Sequence, residues 1–213
     1  MKKYRHIIWD WNGTLIDDTA LCVEIMDSEL KKIGLDGLTI DEYRRKFKFP
    51  VKDFYEEIGF DFSDTPYEKF AQKFIDRYSE KRFDCDLHFG VEAIISKCSK
   101  YDITHSILSA YSQKYLDEAV KHYGIDNLFE NIKGISDNFA GGKVDEGLEL
   151  LKQLDYNKDQ VILVGDTLHD NEVADAMGID SIIVKNGHQS EMVLRKATSP
   201  VVSSISEALI HII

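Results

Sequence analysis

Short apolar runs alternate with amphipathic stretches along most of this chain. Residues 5–10, Arg-His-Ile-Ile-Trp-Asp, are rich in β-branched and aromatic side chains. They end at a carboxylate followed by the turn-forming pair Asn12-Gly13, the pattern of a buried strand with a functional tip. Similar runs at 103–108, 131–135, 160–164 and 181–185 predict four more strands. Helical periodicity falls between them, at 91–100, 112–123, 144–154 and 170–177, and a closing amphipathic helix is predicted at 205–213. Strands alternating with helices of this length predict an α/β fold, a doubly wound parallel sheet.

One segment breaks the alternation. Helical patterns at 19–32, 40–48, 51–58 and 66–83 succeed one another with no strand of comparable quality. An all-helical domain over 17–86 is therefore predicted, inserted into an α/β core made of 1–16 and 87–213. The helix start at Asp17-Asp18-Thr19 and the stretch Asp84-Cys85-Asp86 mark its flanks.

Composition narrows the function classes. At 213 residues the chain can bury a sizeable core without staples. Cys22, Cys85 and Cys98 have no CxxC spacing, which suggests neither a zinc site nor an oxidising compartment. The formal net charge of -12 opposes nonspecific binding to nucleic acid or anionic lipid. The basic start, Met1 to His6, precedes an apolar run too short for a signal segment, and no stretch approaches the length of a membrane span. The expected compartment is the cytoplasm, and the expected partner is a small molecule, with no nucleic acid and no membrane. Monomer and homodimer are equally compatible with the sequence.

In open parallel sheets, ligands sit at the carboxyl ends of the strands. The residues at and beyond those ends are Asp10 and Asn12, then Ser109 and Ala110, then Lys143, then Gly165-Asp166-Thr167-Leu168-His169-Asp170. Carboxylates, a lysine and a hydroxyl in one crevice suit phosphoryl transfer. A carboxylate attacks an anionic phosphate only where a cation offsets the repulsion, and Mg²⁺ is held by a few carboxylates or carbonyls plus substrate oxygen. A lysine and a hydroxyl stabilise and orient the equatorial oxygens.

With these residues in this order, the sequence resembles the haloacid dehalogenase superfamily. It looks like the phosphatase-like type with a helical (C1-type) cap, similar to phosphoglycolate phosphatase-like proteins. The DxDxT motif is matched by Asp10, Asn12 and Thr14, and the strand-ending hydroxyl by Ser109. The lysine motif is matched by Lys143, and GDxxxD by Gly165, Asp166, Thr167 and Asp170. The resemblance implies a phosphohydrolase acting on a small phosphorylated metabolite, with Asp10 as nucleophile and an aspartyl-phosphate intermediate. Mg²⁺ would be held by Asp10, the Asn12 carbonyl, Asp166 and Asp170, the last directly or through water. Thr14 would orient the nucleophile, and Ser109, Ala110 and Lys143 would bind the phosphoryl group.

Asn12 departs from that pattern, because the family's phosphatases have a second aspartate there as general acid and base. General acid–base help is worth about 10²- to 10⁴-fold. The expectation is slow turnover, a restriction to good leaving groups, or another proton carrier, with His169 and His188 as the local candidates. Both histidines also have structural readings, solvent-facing at a helix start for His169 and in a turn for His188. Arg44 and Arg45, in the densest basic run, are candidate contacts to an anionic leaving group, while Phe47, Phe49, Phe54 and Tyr55 read as packing of the insert. Retention of Asp166 and Asp170 argues against a dehalogenase, and Asn12 disfavours a phosphomutase. No motif around Lys48 or Lys52 supports a phosphonate-cleaving enzyme. A phosphate-binding or regulatory module that lost turnover with the second aspartate is the alternative from a different class.

Overall fold

A computed structural model of the chain describes residues 3–63, 66–136 and 142–213; Met1 and Lys2 of the basic start lie outside these. The core is a six-stranded sheet in the order β3-β2-β1-β4-β5-β6, parallel throughout. Its strands are β1 (His6–Trp9), β2 (Thr104–Ser112), β3 (Asn131–Ile135), β4 (Val161–Gly165), β5 (Asp180–Val184) and β6 (Val201–Val202).

Successive side chains of a strand point to opposite faces, so a strand buried on both sides must be apolar throughout. In β1, Ile7 and Trp9 pack with α5 (Val91–Ser99), α6 (Gln113–His122) and α10 (Ile205–Ile212), whereas Ile8 packs with α7 (Val144–Gln153) and α8 (Leu168–Met177). These two clusters are the two faces of a doubly wound α/β fold. β2 runs past its apolar stretch into the polar Ser109–Ser112, where the register shifts against β3. The strand predicted at 103–108 is thus longer than its hydrophobic signal, because its end lies over the site and not in the core. β6 and a four-residue helix α9 (Glu191–Leu194) are additions to the predicted elements, too short to produce a periodic pattern.

Between β1 and α5 lie α1 (Thr19–Lys32), α2 (Ile40–Lys46), α3 (Val51–Glu57) and α4 (Tyr67–Lys81). They share a separate apolar cluster that includes Leu21, Ile25, Leu30, Tyr43, Phe54, Tyr55, Phe70 and Tyr78. Thr39 and Glu42 form a capping box at the start of α2, satisfying donors that a helix end leaves open. The chain leaves and re-enters the core through two adjacent segments: Asp17 N–H donates to the Asp86 carbonyl and His88 N–H to the Leu15 carbonyl, each at 2.9 Å.

Candidate active site

β1 and β4 are neighbours, so their ends bring the Asp10 and Gly165-Asp166 segments together; Asp10 N–H donates to the Val164 carbonyl at 2.9 Å. Asp10, Asp166 and Asp170 each offer an oxygen, and these oxygens lie within 4.8 Å of one another. All three residues are buried. Lys143, 2% exposed, comes from the start of α7 and is held by Asp10, by Asp170 Oδ1 at 2.7 Å and by the Leu108 carbonyl at 3.0 Å. Asp170 belongs to a capping box at the start of α8: its Oδ2 accepts from Thr167 N–H at 2.9 Å and from the Thr167 hydroxyl at 2.7 Å. Asp166 accepts from the Thr14 hydroxyl at 3.1 Å and from His188 N–H at 2.6 Å. Thr14, expected to orient the nucleophile, thus bonds to the neighbouring carboxylate.

Backbone approaches this cluster closely. Gly13 has φ +74, and a Cβ there would strike both Asp166 and His188; a Cβ on Gly187 would also strike Asp166. Only glycine permits this conformation and approach at position 13 without strain. Ser109 and Ala110 line the same cavity; Ser109 is buried, and its hydroxyl oxygen accepts from Tyr111 N–H at 3.1 Å.

A second polar network was not legible in the sequence. Asp18 stands at the N-cap of α1, where a carboxylate normally accepts from the helix's own N–H groups, but it makes no such bond. Its Oδ2 accepts from Asn12 Nδ2 at 2.7 Å and from the Tyr78 hydroxyl at 2.8 Å, and its Oδ1 from Gly13 N–H at 2.9 Å. Asn12 Nδ2 also donates to the Tyr78 hydroxyl oxygen at 2.9 Å. His188 Nε2 lies 3.2 Å from Asp18 Oδ1, and its Nδ1 lies 3.0 Å from the Tyr43 hydroxyl. The amide at position 12 is thus pinned by a buried carboxylate, an arrangement that suits asparagine and disfavours aspartate.

Electrostatics reflect this crowding. Burial pushes Asp10 well above the usual carboxylate range, Asp170 and Asp166 add to the shift, and Lys143 opposes it. Burial likewise carries Asp166 up to about 6 against the pull of His188. Burial opposes protonation of His188, but Asp18 and Asp166 outweigh it and raise His188 to about 9. Burial would raise Asp18 too, yet His188 and the donors around it hold its carboxyl below the ordinary value. Asp10, Asp18, Asp166 and Asp170 thus face Lys143 and protonated His188, and negative charge is in excess. The donor set is all hard oxygen with surplus charge, which fits Mg²⁺.

His188 lies in the turn that follows β5, as read from the sequence, whereas His169 differs from its reading. His188 is buried and locked at both ring nitrogens. His169 is not solvent-facing: its side chain is 11% exposed, it stacks on Phe49 with centroids 4.5 Å apart, and burial lowers its pKa. The His188–Asp18 pair gives a signed pH prediction. A histidine raised from 6.5 to about 9 contributes stability that is full below pH 6.5 and lost as pH rises through about 9. The melting-temperature gap between wild type and His188→Gln should be widest near pH 6 and shrink by about pH 9.5, read by thermal melts across that range.

The basic run of the insert does not reach the strand-end cavity. Arg44 donates from Nε to the Gly187 carbonyl at 2.9 Å and from a terminal nitrogen to the Asn186 carbonyl at 3.0 Å, fastening α2 to the loop beside Asp166. Arg45 is exposed and faces a second surface cavity with Lys46 and Lys48. Phe47, Phe49 and His169 line both cavities and stand between them. Of the two arginines expected as contacts to a leaving group, Arg44 is engaged by carbonyls and Arg45 lies beyond an aromatic wall. Phe47, Phe49, Phe54 and Tyr55, read as packing, also line the cavity.

The sequence profile of the haloacid dehalogenase-like hydrolases matches residues 7–184. The chain belongs to this family. It is 25% identical over 199 residues to the tyrosine-protein kinase PtkA of Mycobacterium tuberculosis, covering 92% of this chain and 67% of that one. To phosphoglycolate phosphatase of Synechococcus elongatus it is 22% identical over 189 residues, 85% of this chain and 84% of that one. Among solved structures, a phosphatase of Clostridium acetobutylicum, assigned as such by prediction, superposes with a TM-score of 0.78 at 23% identity, covering 98% of each chain. That likeness speaks to the fold alone. Among the described residues no helix is long and apolar enough to cross a membrane.

Proposed function

We propose that this family member is a Mg²⁺-dependent phosphohydrolase acting on a small phosphorylated metabolite through an aspartyl-phosphate on Asp10. The observation that carries this reading is the convergence of Asp10, Asp166 and Asp170 within 4.8 Å, with buried Lys143 bonded to two of them. Asp10, the Asn12 carbonyl and Asp166 would hold the metal, with Asp170 direct or through water. Bound there, Mg²⁺ would offset the charge of the phosphoryl oxygens.

The chain's own residues do the rest. Asp10 presents a carboxylate oxygen to phosphorus, and covalent capture divides one difficult displacement into two easier ones. Lys143, kept protonated by Asp10 and Asp170 despite its burial, brings a positive charge to the equatorial oxygens. Ser109 and the backbone at Ala110 orient those oxygens. Thr14 and His188 N–H fix Asp166, and Asp170 fixes Lys143. The helical insert, 17–86, acts as a cap over the core of 1–16 and 87–213, excluding water from the cavity it helps to line. Three free thiols suit a cytoplasmic setting.

Proton competition supplies a test independent of turnover. Without metal, Asp166 and Asp10 hold protons to higher pH in the folded than in the unfolded state, so the contribution of Asp166 to stability falls as pH rises through about 4 to 6, and that of Asp10 falls as pH rises above the ordinary carboxylate range. Mg²⁺ requires both ionised. Added Mg²⁺ should therefore raise the melting temperature more at about pH 7.5 than at about pH 5, with reversal by a chelator. Equal gains at both values count against these ligands.

The second reading, a phosphate-binding module without turnover, is favoured by Asn12 alone. Tight phosphate binding with no Mg²⁺-dependent release from any aryl or acyl phosphate would establish it.

A further inference from the structure

We infer that the leaving group accepted by this site is a neutral, apolar, single aromatic ring, so that the substrate class is a small aryl phosphate monoester. This rests on the phosphohydrolase reading and deepens it. The cavity beside Asp10 is about 150 Å³, and beyond the polar strand ends its lining is aromatic and aliphatic, with Phe54, Tyr55, Phe74, Tyr78 and Tyr111 among its walls. That volume includes the polar end where the phosphoryl group would sit, and since an apolar cavity of about 150 Å³ accommodates benzene, the part that remains holds a single ring at most. Aromatic faces and edges favour a second ring packed against them over a flexible polar chain.

Charge points the same way. Lys143 is the one lysine or arginine among the described residues that line this cavity, and Asp10 and Asp170 already engage it. The arginines of the insert are placed elsewhere: Arg44 is held by carbonyls, Arg77 by Glu29 at 2.5 Å and Arg82 by Glu118 at 2.6 Å, and Arg45 stands beyond Phe47 and Phe49. A carboxylate or second phosphate on the leaving group would enter this cavity facing rings and the Asp18 carboxylate, and the cations on its walls, Lys143 and protonated His188, are already paired by Asp10, Asp170 and Asp18. A neutral ring meets no such obstacle.

The chemistry at position 12 agrees independently. Asn12 donates its amide to Asp18 and carries no exchangeable acid proton for a departing oxygen. An alkoxide leaves poorly without protonation, whereas a phenolate, whose conjugate acid titrates near 10, leaves unaided far more readily. In the capture step an Asp10 oxygen bonds to phosphorus while the phosphorus–oxygen bond to the ring breaks. Its electron pair departs on the phenolate, which takes a proton from solvent. Water then bonds to phosphorus, the Asp10–phosphorus bond breaks, and the water's proton passes to the departing phosphate or to solvent, restoring the carboxylate.

The test is a kinetic comparison of phenyl phosphate, cyclohexyl phosphate and phosphoglycolate on the full chain with Mg²⁺, with acetyl phosphate as a substrate of good leaving group and no ring. Expected are a kcat/KM for phenyl phosphate at least tenfold above phosphoglycolate, and a cyclohexyl phosphate KM within about threefold of phenyl phosphate but a kcat at least tenfold lower. Placing a cation in the cavity by Ile75→Lys should shift the phenyl phosphate to phosphoglycolate ratio at least tenfold toward the acid. Asp10-dependent turnover of acetyl phosphate combined with equal or better use of phosphoglycolate overturns the aryl assignment while leaving the phosphohydrolase reading intact. Equal kcat for the phenyl and cyclohexyl esters overturns it too. Absence of turnover on all four compounds overturns the phosphohydrolase reading, and the aryl assignment with it.

Discussion

Asp10→Asn should abolish Mg²⁺-dependent phosphate release from an aryl phosphate, by on the order of 10⁴-fold or more, the scale on which loss of a nucleophile acts, while the melting temperature without metal should hold or rise. The two readouts separate for a physical reason. Asp10 is buried, and burial together with Asp166 and Asp170 pushes its carboxyl well above the ordinary range. A nearly isosteric amide removes that surplus negative charge and leaves Lys143 its ion pair with Asp170. It cannot form an acyl phosphate. The variant should also lose most of the thermal gain that Mg²⁺ gives the wild type, because one of the hard-oxygen ligands is gone. Malachite-green phosphate assays and paired melts with and without Mg²⁺ decide it. Activity within tenfold of wild type, in a folded variant, removes Asp10 from the role of nucleophile.

The legibility of this site in the sequence divides along a physical line. Asp10, Ser109 and Asp166 each come after a run of β-branched residues, and a parallel sheet delivers the ends of its strands to one edge. Strand periodicity therefore carried their position along with the fold. The helix predicted at 19–32 coincides with α1, since fourteen residues give several turns of pattern. β6, two residues long, has no period to detect. Asp18 was hidden for a different reason. In the sequence Asp17-Asp18-Thr19 looks like an ordinary helix start, yet the Asp18 carboxylate turns away from its helix to Asn12, Gly13 N–H, Tyr78 and His188. Tyr78 and His188 are 60 and 170 positions along the chain from it, and no local propensity reports such a meeting. A residue that forgoes its local role, as this N-cap does, marks a place where the site has overruled the helix. The basic run shows the opposite limit: Arg44 and Arg45 stood out by charge, but charge density does not say which way a side chain faces, and Arg44 faces carbonyls.

That hidden carboxylate changes what is expected of Asn12→Asp, the substitution that would restore the family's usual second aspartate. The single change should not accelerate turnover of alkyl phosphates, and it should cost about 2–4 kcal/mol of stability, the scale of an unpaired buried charge after partial relief by protonation. Asn12 Nδ2 sits 2.7 Å from Asp18 Oδ2 and 2.9 Å from the Tyr78 hydroxyl, so an aspartate would place a carboxylate oxygen against another carboxylate and remove the donor between them. One proton shared by the two would relieve the repulsion, and that proton would be held between them instead of being given to a leaving oxygen. Exchanging both residues, Asn12→Asp with Asp18→Asn, keeps the net charge and reverses the donor, and its amide oxygen can still accept from Gly13 N–H. The double variant should recover part of the lost stability, since the amide at position 18 ends the ion pair with His188, and the recovery should appear as positive coupling in a double-mutant cycle of urea melts. Freed of its like-charged neighbour, the aspartate at position 12 should raise kcat for cyclohexyl phosphate by tenfold or more, within the 10²- to 10⁴-fold ceiling expected of general acid help. It should also flatten the dependence of rate on leaving-group pKa. If the single variant is as stable as wild type and already flattens that dependence, Asp18 does not govern the choice of amide at position 12.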